Sequence, residues 1–265
     1  IDIDKYCGSD LTFNINISDD YSSIIDKMNN ETIALNDICY CTVGINTGYI
    51  KSDLTSDTKI DTRYHKMLSG KDIGRYNIKW AGEYIMYDVA FVKSKGDKGR
   101  SLPPENIFTE DKILVQRTRR GMKRKLVCYL DFEKHYNLNR LSNIVLKDKS
   151  YSLEILYPIL NSKLLDFYFN VYFNEYEVKP LHLGKLPIKK EIRDSLYFAK
   201  KGNLIFELSS KLQTLLLKFT AYIQSQFSIV KLSKKLQNWH ELEFGDFIKE
   251  LNKAIKKVGG EKLDD

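Results

Sequence analysis

Two periodicities divide this chain. Up to about residue 150, apolar and polar residues alternate over short stretches. Beyond it, apolar residues recur every three or four positions. Alternation puts successive side chains on opposite sides of an extended backbone, so it predicts half-buried strands. It predicts them at Leu11–Ile17, Tyr76–Trp80, Glu83–Tyr87, Lys112–Gln116 and Leu126–Tyr129, bounded by glycine and aspartate turns. The apolar run Leu35–Val43 is compact and ends in a glycine-containing turn, Gly44–Gly48. From Tyr151 to about Asn170, Leu153, Leu156, Leu160, Leu164, Phe167 and Tyr168 fall on one helical face. After Pro187, Ile205, Leu208, Leu212, Leu215, Phe219 and Tyr222 step by three and four, a heptad seam. A last helix is expected from Phe244 to Val258. The pattern predicts an α/β (α+β) chain: a polar lead-in over 1–32, continuing from an upstream domain, a strand-rich domain over 33–190, and a helical spacer or docking region over 191–265.

Composition narrows the class. With 265 residues, 43% hydrophobic and 29% charged, the chain can bury a core without covalent staples. The four cysteines, Cys7, Cys39, Cys41 and Cys128, have no zinc-ligand spacing and read as reduced, cytoplasmic thiols. No apolar run reaches bilayer length, which argues against a membrane partner. The first residue is Ile1 and the opening stretch is polar, so the chain reads as a fragment of a longer protein.

The charge of +7 is unevenly spread. Residues 1–61 carry 4 Lys/Arg against 11 Asp/Glu, residues 62–150 carry 20 against 10, and the remainder 18 against 14. A basic middle third favours a polyanionic partner.

Catalytic signatures are missing. There is no nucleophile elbow, zinc-protease helix, P-loop or dinucleotide fingerprint, and the four histidines share no ligand spacing. Leu102–Glu105 contains two prolines but lacks the flanking residues that hold a flipped base in amino-methyltransferases. Two basic segments stand out instead. One carries Lys93, Lys95, Lys98 and Arg100 among glycines. The other carries Arg117, Arg119, Arg120, Lys123, Arg124 and Lys125 around Gly121. Lysines neutralise phosphates, and a guanidinium can in addition make two parallel bonds to one guanine edge. The lysines and Arg100 are therefore expected at phosphates, and Arg117, Arg119, Arg120 and Arg124 include the candidate base readers. Lys71 and Arg75 are possible additions.

Several segments together resemble a known family, the TaqI-type C-terminal specificity domain. These are VGINTGY (Val43–Tyr49), YHKMLSGKDIGRYNIKWAGEYI (Tyr64–Ile85), KILVQRT (Lys112–Thr118), YPILNSKLLDFYF (Tyr157–Phe169) and GKLPIKK (Gly184–Lys190). LQNWHELEFGDFIKEL (Leu236–Leu251) is similar to a stretch near the ends of combined restriction–modification enzymes. The resemblance implies a target recognition domain of an N6-adenine DNA methyltransferase, most often of type IIG. Its partners would be double-stranded DNA and the catalytic domain of the same parent chain. It implies no cofactor bound here: S-adenosylmethionine, and magnesium for cleavage, belong to the catalytic domains. The rival readings are half of a type I restriction specificity subunit and, from a different class, a free-standing nuclease.

Overall fold

The computed structural model describes residues 19–96, 100–119, 121–173, 175–193 and 195–263. They fall into two compact units, one ending at Phe206 and the other beginning at Glu207. In chain order, the first unit contains α1 (Asp19–Asn29), β1 (Thr32–Ala34), α2 (Leu35–Ile38), β2 (Cys39–Val43), α3 (Lys51–Leu54), β3 (Thr55–Ser56), β4 (Tyr64–Leu68), β5 (Ile73–Gly74), β6 (Asn77–Ile78) and β7 (Tyr84–Met86). It continues with α4 (Val89–Ser94), α5 (Asn106–Thr109), β8 (Lys112–Gln116), β9 (Cys128–Asp131), β10 (Tyr136–Asn137), β11 (Leu141–Leu146), α6 (Leu153–Leu160), α7 (Lys163–Tyr172), α8 (Pro180–Gly184) and β12 (Pro187–Lys189). Helix α9 (Leu196–Gln226) runs from the first unit into the second, which adds α10 (Lys234–Gln237) and α11 (Phe244–Lys257). The α+β class expected from the two periodicities is what the chain adopts.

The centre of the first unit is an antiparallel sheet in the order β2-β11-β8-β9. Cross-strand partners share a face. Cys41, Ile144, Ile113 and Leu130 line one side and join a core with Leu156, Tyr157, Leu165, Phe169 and Leu183 from the helices α6, α7 and α8. Thr42, Asn143, Leu114 and Tyr129 line the other. Leu114 there meets Leu68, Ile73 and Ile78 from β4 and the β5–β6 hairpin. A second sheet, β10-β4-β7-β3, encloses its own core of Ile45, Leu54, Met67, Ile85, Phe108 and Tyr136. Within the region expected as a lead-in, α1 sends Ile25 and Met28 into the main core.

Several elements depart from the simple periodic reading. Tyr76 has a left-handed backbone (φ +67°) and forms, with Arg75, the turn between β5 and β6, so the expected strand shrinks to Asn77–Ile78. The strand expected at Leu126–Tyr129 begins at Cys128, because the preceding backbone N–H groups of Lys125 and Leu126 go to the Asp166 carboxylate, not to a ladder. The helix expected over Tyr151–Asn170 is two helices broken at Asn161, whose side chain bonds the backbone of Cys128, while Ser162 caps α7. The alternation at Leu11–Ile17 lies outside the described residues.

Helix α9 starts close against α6. A Cβ on Gly202 would stand 1.8 Å from the Glu154 carbonyl, so only glycine fits. In the second unit, Ile223, Leu232, Leu236, Leu251 and Ile255 form a small core. Along α9, Leu208, Leu212, Leu215 and Tyr222 of the heptad seam are 49–61% exposed. Among the described residues, no helix is long and apolar enough to cross a membrane.

Candidate nucleic-acid interface

The loop from Arg117 to Lys125 closes the β8–β9 hairpin, and Gly121 (φ +72°) supplies its left-handed turn. The guanidiniums of Arg117, Arg119 and Arg124 point back into the domain. Arg117 donates to the Asn139 carbonyl (2.5 Å) and pairs with Glu177 (3.0 Å). Arg119 donates to Gln116 Oε1 (2.6 Å) and to the Arg124 carbonyl (3.0 Å). Arg124 donates to the Asn161 carbonyl (2.5 Å), which also accepts from Arg75 (3.1 Å). Lys125 reaches the Arg119 carbonyl (3.3 Å), and Lys123 is exposed. Burial lowers the Arg119 pKa from its ordinary value while Asp166 opposes the shift. An arginine starts so far above neutrality that it stays charged.

The base of this loop is built by α7 and the residues before it. Asp166 accepts the backbone N–H groups of Lys125 and Leu126, both at 2.7 Å. The Asn161 amide pairs with both backbone groups of Cys128 at 3.0 Å. The segment holding Lys71 and Arg75 adjoins the loop, since Gln116 Nε2 donates to the Gly70 carbonyl. Its turn is set by Asp72, buried and accepting from Ser69 N and Oγ at 2.7 Å each. Lys71 and Arg75 are exposed, and Arg75 lies over the Tyr76 ring.

The second basic segment follows α4, capped by Asp88, which accepts from Phe91 N (2.8 Å) and from Arg63 (2.9 Å). Lys93 and Lys95 are exposed, and Lys95 lies 3.3 Å from Asp53. Arg100 folds back on the carbonyls of Lys95 and Gly96. Lys98 and Arg120 lie outside the described residues.

Both basic segments meet at the Gly44–Gly48 turn. Asn46 exchanges backbone hydrogen bonds with Ser101 (2.9 Å each way), next to Arg100. Ile45 accepts from Asn139 N (2.9 Å), whose carbonyl holds Arg117. A Cβ on Gly44 would fall 2.4–2.5 Å from the carbonyls of Asn137 and Leu138, so the close approach requires glycine. The structure thus joins Lys71, Arg75, Arg117, Arg119, Lys123, Arg124 and Lys125 in one cluster and links Lys93, Lys95 and Arg100 to it through a shared turn.

Sequence reasoning missed the residues that hold the cluster. Asn161 and Asp166 sat inside a helical pattern, and only the Asn-Ser pair hinted at a break. It also passed over Tyr49, 97% exposed on the shared turn.

The remaining polar candidates are packing groups. His135 is buried and hydrogen-bonded to Asp131 (2.9 Å), His65 stacks on Tyr136 and His182 on Phe173. Cys39, Cys41 and Cys128 are free thiols, and burial pushes Cys39 and Cys41 up to about 12. Among the described residues, no group of three or more His, Cys, Asp or Glu side chains could hold a metal ion.

Residues 65–188 match the TaqI-like C-terminal specificity domain. That bears out the resemblance read from the segments within this range. It supports DNA-sequence recognition in a restriction–modification system as the role of this part of the chain. Residues 189–265 match a domain of unknown function, DUF8810. No curated protein matches the chain.

Proposed function

We propose that the first unit reads duplex DNA on behalf of an N6-adenine DNA methyltransferase or fused type IIG restriction enzyme, whose catalytic domain lies in the same parent chain and acts in the cytoplasm. The observation that carries this reading is the anchoring of two basic segments on one glycine turn, beside a segment matching a specificity domain. Lys71, Lys93, Lys95 and Lys123, all exposed, are the phosphate contacts, with Lys98 and Lys125 in the same role. Arg75, Arg117, Arg119 and Arg124 each use some of their five donors to hold the loop, and Nε of Arg117 and of Arg124 is buried; the donors that remain, with Arg120, are the candidate base contacts. S-adenosylmethionine and magnesium would be held by the catalytic domains.

The test is enrichment of duplexes from a randomised pool, followed by fluorescence anisotropy over a range of salt. We expect one enriched sequence, bound with an affinity that falls linearly in log salt. Failure to enrich any sequence would sink the recognition role. Methylome sequencing tests the adenine assignment: the enriched site carries N6-methyladenine, and cytosine methylation at that site overturns it.

One observation favours a second reading, half of a type I specificity subunit: the exposed heptad leucines of α9 suit pairing with a partner helix. Purification with separate methyltransferase chains would select this reading; a catalytic domain in the same chain would select the first.

A further inference from the structure

We propose that Tyr49 is a DNA-contacting residue, a rigidly presented aromatic ring that meets the groove by apolar contact, not by charge. The inference rests on the DNA-recognition reading and adds a residue to its site.

Tyr49 is 97% exposed between two apolar neighbours, Ile45 at 0% and Ile50 at 8%, both part of the second sheet's core. A tyrosine on a loose loop can lay its ring over the nearest apolar surface. This one is held away from it. Ile50 N donates to the Thr47 carbonyl (3.2 Å) across the turn that contains Tyr49. Gly48 has φ +52° and donates to Asn46 Oδ1 (3.3 Å). Gly44 is pressed against the Asn137 and Leu138 carbonyls, and Asn46 is tied twice to Ser101. The backbone on both sides of the ring is therefore fixed, and a fixed aromatic loses little conformational entropy when a partner covers it.

The position selects the partner. The turn carrying Tyr49 is the element on which both basic segments converge, through Ser101 beside Arg100 and through Asn139 bonded to Arg117. A duplex held by cations from both segments has its groove at this turn. A phenol ring there fits base edges, a thymine methyl or an opened base step. Contacts of this kind release no counterions, which separates Tyr49 from the surrounding lysines in a measurable way.

The experiment compares wild type, Tyr49→Ala, Tyr49→Phe and Lys93→Ala/Lys95→Ala by anisotropy on a fluorescein-labelled duplex enriched by the wild type, at several salt concentrations. We expect Tyr49→Ala to weaken binding about tenfold with an unchanged slope of log affinity against log salt. Tyr49→Phe should stay within about threefold of wild type, because the ring and not the hydroxyl makes the contact. The double lysine variant should instead flatten the slope by about one to two. Wild-type affinity in Tyr49→Ala overturns the proposal, as does a flattened slope in that variant or an equal loss in Tyr49→Phe. A wild-type protein that enriches no duplex would instead bring down the recognition reading itself.

Discussion

The hairpin of β8 and β9 is charged at both ends, and the two ends handle charge in opposite ways. At the open end, Lys112 and Asp131 face each other across the ladder at 2.9 Å with no exposed surface, and His135 completes the group. Carboxylate cancels ammonium there, and nothing of the charge reaches the surface. At the closed end, in the loop, Arg117, Arg119, Arg124 and Lys125 are held mainly by carbonyl oxygens, with Glu177 as the carboxylate partner of Arg117. A carbonyl orients a guanidinium without neutralising it. The loop end is therefore ordered and still positive, as a polyanion site requires. The comparison shows that hydrogen bonding of an arginine to its own protein does not remove it from an interface: the partner's charge decides.

The largest effect should come from breaking the open end. Lys112→Met leaves Asp131 buried without its ammonium and should cost about 3–5 kcal/mol, read as a lowered urea midpoint. The salt slope of DNA binding by the folded fraction should stay as in wild type. An altered slope would mean that the two ends are not independent.

Arg117→Ala strikes the loop end where it is tied most firmly. It should cost about 2 kcal/mol, the range of hydrogen bonds to charged groups, and weaken DNA binding more than tenfold. Arg117→Lys should recover little of either, because an ammonium cannot fork between Asn139 and Glu177. Full recovery by lysine would reduce the residue to a point charge.

Acid provides a smaller test of the open end. Burial pushes the Asp131 carboxyl up, but the His135 hydrogen bond and the Lys112 charge together hold it below the usual carboxylate range. A depressed carboxylate contributes stability that is present above its unfolded pKa, near about 4, and is lost as pH falls through the folded value. Wild type should thus lose more stability than Asp131→Asn between about pH 5 and about pH 3. Equal losses would show that Asp131 is not a source of acid sensitivity.

The smallest effect on stability is expected for Lys93→Ala with Lys95→Ala, within about 0.5 kcal/mol. Affinity should still fall several-fold. A large stability loss would mean that the second segment is built into the fold as the first one is.

Much of this was legible in the sequence for a local reason. Lys112–Gln116 was read correctly as a strand because alternation is a local property, and the cations of the loop could be counted. The network beneath them was not legible. Arg124 finds Asn161 and Arg75 finds the same carbonyl across separations of 37 and 86 residues. No local spacing encodes a main-chain acceptor that distant. Tyr49 closes the VGINTGY segment, but no local pattern says that its ring is exposed; that follows from the locked turn.

The carbonyl anchors of the β8–β9 loop have a consequence for how the specificity proposed for it could change. A side-chain partner disappears when its codon mutates, whereas the oxygens of residues 124, 139 and 161 remain whatever side chains those positions carry, provided the backbone path is kept. On the proposed reading, residues around the loop can thus be exchanged, and the bases read can drift, while the frame that holds the arginines stays in place. New specificities become reachable by single substitutions that do not first dismantle the old scaffold.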